Sequence, residues 1–328
     1  MKQITFIIVA LIFSTLGYSQ ANRPQEPKEP FIYSSEEVHF VNEAANNIKL
    51  AGTLTLPKDI KNPPVVILIS GSGPQNRNEE LMGHKPFLVI ADYLTNNGIA
   101  VFRYDDRGIG ESKGDFNTAT SFDFAADVEA AIHYLKTRKD IDSKKIGLIG
   151  HSEGGLIAPI VASKNKNVAF IISLAGTGVN GRQVLESQSW EMAKQMGATE
   201  EVLKFNKAFT DAAYGVIETE TSINDIESKI KASLNAFKKE LDDKKSPYAI
   251  YVNETLINRL TSQVSTPWLI TFIKTNPYDY WSKTTCPVLA LNGSNDLQVL
   301  PKLNLKAIEN ALTYASNKDF TITELEGL

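Results

Sequence analysis

Lys145-Ile146-Gly147-Leu148-Ile149-Gly150-His151-Ser152-Glu153-Gly154-Gly155 is the stretch from which the rest of the chain is read. A short apolar run enters Gly-His-Ser-Glu-Gly, and a helix-compatible segment, Leu156 to Ala162, leaves it. The pattern predicts a strand, a sharp turn and a helix, with a serine at the apex. A residue on so tight a turn takes a strained backbone, and the two elements crowd each other. Side chains two positions before and after the serine would collide, which accounts for Gly150 and Gly154. Such a turn lifts the Ser152 hydroxyl clear of the sheet. It also aims the N–H of Glu153, at a helix N-terminus, at any oxygen that becomes negative beside it. By composition alone the bare spacing arises in roughly one chain of this length in ten, so its neighbours must decide.

Those neighbours belong to a chain of 328 residues, 42% hydrophobic and 22% charged, as expected of a soluble globular protein. The length allows one large α/β domain with an insertion, or two domains. Net charge is −4 from 34 basic and 38 acidic residues, with no dense basic cluster, so nucleic acid is not an expected partner. The single cysteine, Cys286, excludes an internal disulfide and a cysteine-based metal site. The four histidines, His39, His84, His133 and His151, lack the spacing of a zinc site, and no metal is expected. Residues 1–21 read as a secretory signal. Lys2 precedes the apolar run Phe6 to Phe13, and Gly17, Ser19 and Ala21 are small residues near a plausible cut. The run is short for a membrane span of about 20 residues. A secreted or periplasmic protein without stable membrane insertion is therefore expected.

Residues 22–34, with Pro24, Pro27 and Pro30, read as an extended tether. Glu37 to Asn42 and the alternating Ile48 to Leu56 suggest a hairpin. Val65 to Ile69 is a continuous β-branched run, as in a strand buried on both faces of a parallel sheet. A helix is predicted over Pro86 to Asn97, a strand over Ile99 to Tyr104 and a helix over Phe122 to Arg138. Strands follow at Ile146 to Ile149 and Val168 to Leu174. This alternation predicts a doubly wound, mostly parallel sheet, with its site at the carboxyl ends of the strands. Ser70 to Arg77, Asp105 to Gly110 and Ser152 all fall at such ends.

From residue 179 to 281 the rhythm stops. The segment is polar and helix-biased and contains Trp190, Trp268 and Trp281. It reads as a helical cap inserted between two parts of the core, 35–178 and 282–328. The three tryptophans either line a substrate pocket or pack the cap. Afterwards come a strand at Pro287 to Leu291, a helix at Leu303 to Leu312 and a strand at Phe320 to Leu325.

Four motifs follow predicted strands in order: Gly-Ser-Gly-Pro-Gln-Asn-Arg (71–77), Arg-Tyr-Asp-Asp-Arg-Gly (103–108), Gly-His-Ser-Glu-Gly-Gly (150–155) and Asn-Gly-Ser-Asn-Asp (292–296). With them the chain resembles the α/β-hydrolase superfamily, in particular secreted bacterial carboxylesterases of the serine-aminopeptidase-like branch with a helical cap. The resemblance covers about residues 45 to 180 and 280 to 328. It implies a serine hydrolase acting on a small-molecule ester or acyl substrate without a cofactor. The nucleophile falls on Ser152 and the acid on Asp296, in the order Ser then Asp. The oxyanion hole falls on the N–H groups of Glu153 and Ser72, with Gly73 as an alternative to Ser72. Asp106 and Arg107 are expected to form a framework behind the turn, and Glu153 is a candidate contact for a polar substrate group.

The resemblance also implies a histidine in a loop after the last strand, and no histidine follows His151. The core is therefore expected to be truncated at its C-terminal end, with the base beyond residue 328. The other reading is a natural chain without its base. His84 is not supported as a substitute by its spacing. His151 is expected to point away from the nucleophile, and His133 to be structural. Peptide, amide and thioester cleavage use the same machinery. A non-catalytic binding protein is the alternative from another class.

Overall fold

The computed structural model describes residues 23–328; the expected signal, 1–21, lies outside them. Two compact units are present, residues 23–179 with 277–328, and residues 180–276.

The first unit is built on eight strands: β1 (Ser34–Asn42), β2 (Ile48–Leu56), β3 (Val65–Ile69), β4 (Ala100–Tyr104), β5 (Ile146–His151), β6 (Val168–Leu174), β7 (Val288–Gly293) and β8 (Phe320–Leu325). Their order is β1-β2-β4-β3-β5-β6-β7-β8. β1 pairs antiparallel with β2, and β2 with β4; every later pairing is parallel. All five residues of β3 and of β4 are buried, which explains their unbroken apolar character. The chain runs from β3 to β4 in one direction, then crosses back over β3 to β5. The sheet reverses its winding there, so the carboxyl ends of β3 and β5 flank a topological switch point.

Helices cover the parallel strands. α1 (Pro86–Asn96) starts on a proline and is followed by Gly98 at φ 88°. The N-terminus of α2 (Ser121–Thr137) is capped by the Asp123 carboxylate, which accepts from the Thr120 N–H at 2.9 Å. Every residue of α3 (Gly154–Ala162) is buried. The stretch 22–34, expected as a tether, is anchored where it is described. Tyr33 is buried and donates to Asp92 at 2.9 Å, and Glu26 pairs with Lys85 at 2.7 Å. The aromatic ring of Tyr33 supplies the apolar contact that the proline-rich composition concealed.

The second unit contains α4 (Gly181–Gln195), α5 (Glu200–Thr219), α6 (Ile223–Asp243), α7 (Glu254–Val264) and α8 (Pro267–Lys274). Asn180, Thr199, Asn253 and Thr266 cap four of these helices through their side chains. Leu203, Phe209, Ile217, Ile226, Ile230 and Leu234 form its buried face, and Phe205 stacks on Tyr248 at 4.5 Å. In the first unit, α9 (Tyr278–Trp281) and α10 (Pro301–Tyr314) follow. Trp281 therefore lies with the sheet, not among the helices of residues 180–276. It is fully buried and donates its indole N–H to the Thr177 carbonyl at 3.3 Å.

Candidate active site

β5 runs two residues beyond Ile149, because Gly150 and His151 pair with Ser173 and Leu174. Ser152 then takes φ 51°, a left-handed backbone unusual for a residue with a β-carbon. Its N–H donates to the Leu174 carbonyl at 2.9 Å, and its own carbonyl accepts from Gly155 at 2.9 Å. The flanking glycines have no room for substitution. A β-carbon on Gly150 would stand 2.1 Å from the Gly154 carbonyl oxygen, and one on Gly154 would stand 2.2 Å from that of Ile69. The strained serine is thus held between β5, β3 and the start of α3.

The loop after β3 is fastened on three sides. Asp106, two residues after β4, accepts the Ser70 hydroxyl at 2.9 Å and the Gln75 N–H at 3.0 Å. Burial raises the Asp106 carboxyl well above the ordinary carboxylate range, against the pull of those bonds. Arg77 forks onto Asp105 at 2.7 and 3.1 Å. Burial opposes the charge on Asp105, but the Arg77 guanidinium and the amides of Arg77 and Glu111 outweigh it and lower its pKa. Arg107 donates instead to Asp127 on α2, at 2.8 and 2.9 Å, and Asp127 also accepts from Asn42 at 2.7 Å. Asp106 and Arg107 are tied to the loop and to α2, as a supporting framework requires.

The third fastening is Glu79, which the sequence did not single out. Its Oε1 accepts the Gly71 N–H at 2.7 Å and lies 2.7 Å from Nδ1 of His151. A β-carbon on Gly71 would stand 3.2 Å from Ser152 Cβ and 3.2 Å from that same imidazole nitrogen. The His151 ring therefore lies against the loop beside the serine rather than away from it. Burial opposes its charge, but Glu79 and, further off, Asp296 raise its pKa above the ordinary histidine value.

Of the residues expected in the oxyanion hole, Ser72 directly follows Gly71, and its N–H has no partner among the described residues. Gly73 stands at φ 99°. Glu153 opens α3, and its side chain is buried and accepts the Ser121 hydroxyl at 2.6 Å. Asp296 lies in the turn after β7. Its Oδ1 accepts the N–H groups of Gln298 and Val299 at 2.7 and 3.0 Å. Its Oδ2 accepts none among the described residues. The turn is tied to the end of β8: Ser294 donates to the Leu325 carbonyl at 2.9 Å, and Asn295 to that of Leu328 at 2.6 Å. His133 is exposed on α2, and the backbone of His84 pairs with Leu81. No group of three or more histidine, cysteine and acidic residues suited to a metal occurs among the described residues, nor is any helix among them long and apolar enough to cross a membrane.

Comparison with known proteins agrees with this architecture. The chain is 33% identical over 139 residues to esterase EstD of Thermotoga maritima, covering 42% of this chain and 33% of that protein. It is 33% identical over 150 residues to an acyl transferase of Photobacterium leiognathi, covering 45% of each. The matches thus span about a third to a half of the length of these curated relatives. Among solved structures, an esterase of Pyrococcus furiosus superposes with a TM-score of 0.54 at 18% identity, over 90% of this chain and 83% of that one. An α/β hydrolase of a Penicillium species gives 0.54 at 16% identity, over 90% of both. The family model described as serine aminopeptidase, S33, matches residues 85–327. With that match spanning more than half of its length, the chain belongs to the serine aminopeptidase S33 family and has the α/β-hydrolase fold.

Proposed function

We propose that the protein is a serine hydrolase that cleaves carboxylic esters through an acyl-enzyme on Ser152. The observation that carries this reading is the left-handed Ser152 on its glycine-bounded turn at the switch point of the sheet. The Ser152 hydroxyl attacks the ester carbonyl while a base takes its proton. The carbonyl oxygen, now negative, is received by the N–H groups of Ser72 and Glu153. The base returns the proton to the departing alkoxide, and water then releases the acid by the same steps in reverse. Asp296 orients the base, for which its Oδ2 is available and its Oδ1 is held by the turn. We take that base to be a histidine. The leader 1–21 directs export.

The test is p-nitrophenyl ester turnover by the complete gene product and by its Ser152→Ala form. The variant should lose at least about 10³-fold in kcat; equal rates would remove Ser152 from the reaction. Turnover of anilides or thioesters faster than esters would move the assignment to amide or thioester cleavage.

A further inference from the structure

We propose that Glu79 is a positioning residue that locks the loop bearing the Ser72 oxyanion donor to the turn bearing the nucleophile. The inference rests on the hydrolase reading and assigns a role within it. One carboxylate oxygen, Oε1, serves both sides: it accepts the Gly71 N–H at 2.7 Å and lies 2.7 Å from His151 Nδ1. Gly71 belongs to the loop after β3, and His151 is the last residue of β5, next to the serine. The Glu79 side chain thus bridges the two arms of the switch point.

Three features show that the bridge is built rather than incidental. Glu79 is buried, at 7% relative exposure, and a buried carboxylate needs partners that satisfy it. Its backbone is left-handed, at φ 50°, a conformation that costs free energy in a glutamate and persists only where the surroundings impose it. The Glu79 N–H donates to the Asn76 carbonyl at 2.8 Å, which closes the tight turn that delivers the side chain inward. The site is also tightly packed, since a β-carbon on Gly71 would press on Ser152, His151 and Glu79 together, at 3.2 to 3.3 Å.

The consequence for catalysis is geometric. Because the Gly71 N–H is committed to Glu79, Gly71 is not itself an oxyanion donor. The bond fixes the Ser70–Gly71 peptide, one unit before the peptide that carries the Ser72 N–H, and so restrains where that donor stands. An oxyanion hole works only if its donors are aimed before charge develops, and small misplacements of such groups cost about 10²-fold in rate. His151 supplies the other end: to donate to Oε1 it carries a proton on Nδ1.

Two independent measurements test this. In the 328-residue chain, ¹⁵N NMR of the histidine rings should show His151 with a proton on Nδ1 and a titration midpoint above the ordinary value of about 6.5. Glu79→Gln should lower that midpoint, because burial of the ring then opposes its charge without the Glu79 carboxylate. Asp296, the other charged group acting on His151, is unchanged in that variant, so its smaller effect should remain. In the complete gene product, Glu79→Ala should lower kcat about 10- to 100-fold with KM within about threefold. His151→Asn keeps an N–H for Glu79 and should retain most of the activity that His151→Phe loses. Should Glu79→Ala fail to fold, Glu79→Gln and the two His151 variants decide, with kcat reduced in Glu79→Gln and in His151→Phe. An unchanged His151 titration in Glu79→Gln, full kcat in Glu79→Ala, or equal rates in His151→Asn and His151→Phe would overturn the proposal. Failure of the hydrolase reading looks different: Ser152→Ala would then retain activity, whatever Glu79 does.

Discussion

At Ser152 the chain holds a β-carbon where glycine would sit more comfortably, at φ 51°. Such strain costs about 1–3 kcal/mol. Glycine at the same position relieves it, at an entropic cost of about 0.5–1 kcal/mol in the unfolded chain. Ser152→Gly should therefore stabilise the protein by about 1 kcal/mol, raise its melting temperature by about 2 °C, and abolish ester turnover. A melting temperature lower than wild type would show that the turn is not strained. The strain was legible in the sequence, because glycines two positions either side of a serine are what such a turn requires. Glu79 was not legible. Its partner His151 lies 72 positions away, and Asn-Arg-Asn-Glu-Glu (76–80) has the composition of any solvated loop. Its left-handed backbone and its burial exist only once the turn is folded.

At the scale of elements, the strands declared themselves and their edges did not. Val65 to Ile69 and Val168 to Leu174 fall where their largely apolar runs put them. β5 extends past its apolar run because β6 offers it two further pairing partners, a fact of neighbouring strands and not of local composition. The helices of residues 180–276 could be counted as helical by polarity and spacing. Their packing could not be derived, since several amphipathic faces combine in more than one way. The link between α2 and β4 gives a test. Arg107 is buried and spends two donors on Asp127, which also accepts from Asn42. Asp127→Ala leaves that guanidinium without its main partner, and should cost about 3 kcal/mol, read as a lower urea midpoint at unchanged slope. A loss below about 1 kcal/mol would show that the Asp123 carbonyl, also bonded to Arg107 at 2.7 Å, suffices.

For the whole molecule, the buried ionisable groups set how stability varies with pH. The folded pKa of Asp106 is raised, so the folded chain keeps a proton that the unfolded chain releases above about pH 4. The stabilisation it contributes therefore falls as pH rises toward that folded value. His151 is also raised; its contribution is complete below about pH 6.5 and is lost as pH rises through the folded value. Asp105 is lowered, so its contribution holds above about pH 4 and is lost as pH falls. Stability should peak at mildly acidic pH, about 4 to 6, and decline toward pH 9, in urea unfolding across that range. Asp106→Asn should flatten part of the decline, and a wild-type stability that rises from pH 5 to pH 8 would contradict the assignment. The nine residues of α3, none of them at the surface, have a further consequence. A helix with no solvent-facing side cannot fray locally, so its amide hydrogens exchange with solvent only when the sheet around it opens as a whole. The serine turn is rooted in that helix. Heat or denaturant should thus remove its reactivity in step with the global transition, leaving no temperature window in which the protein is folded but its nucleophile is already disarranged.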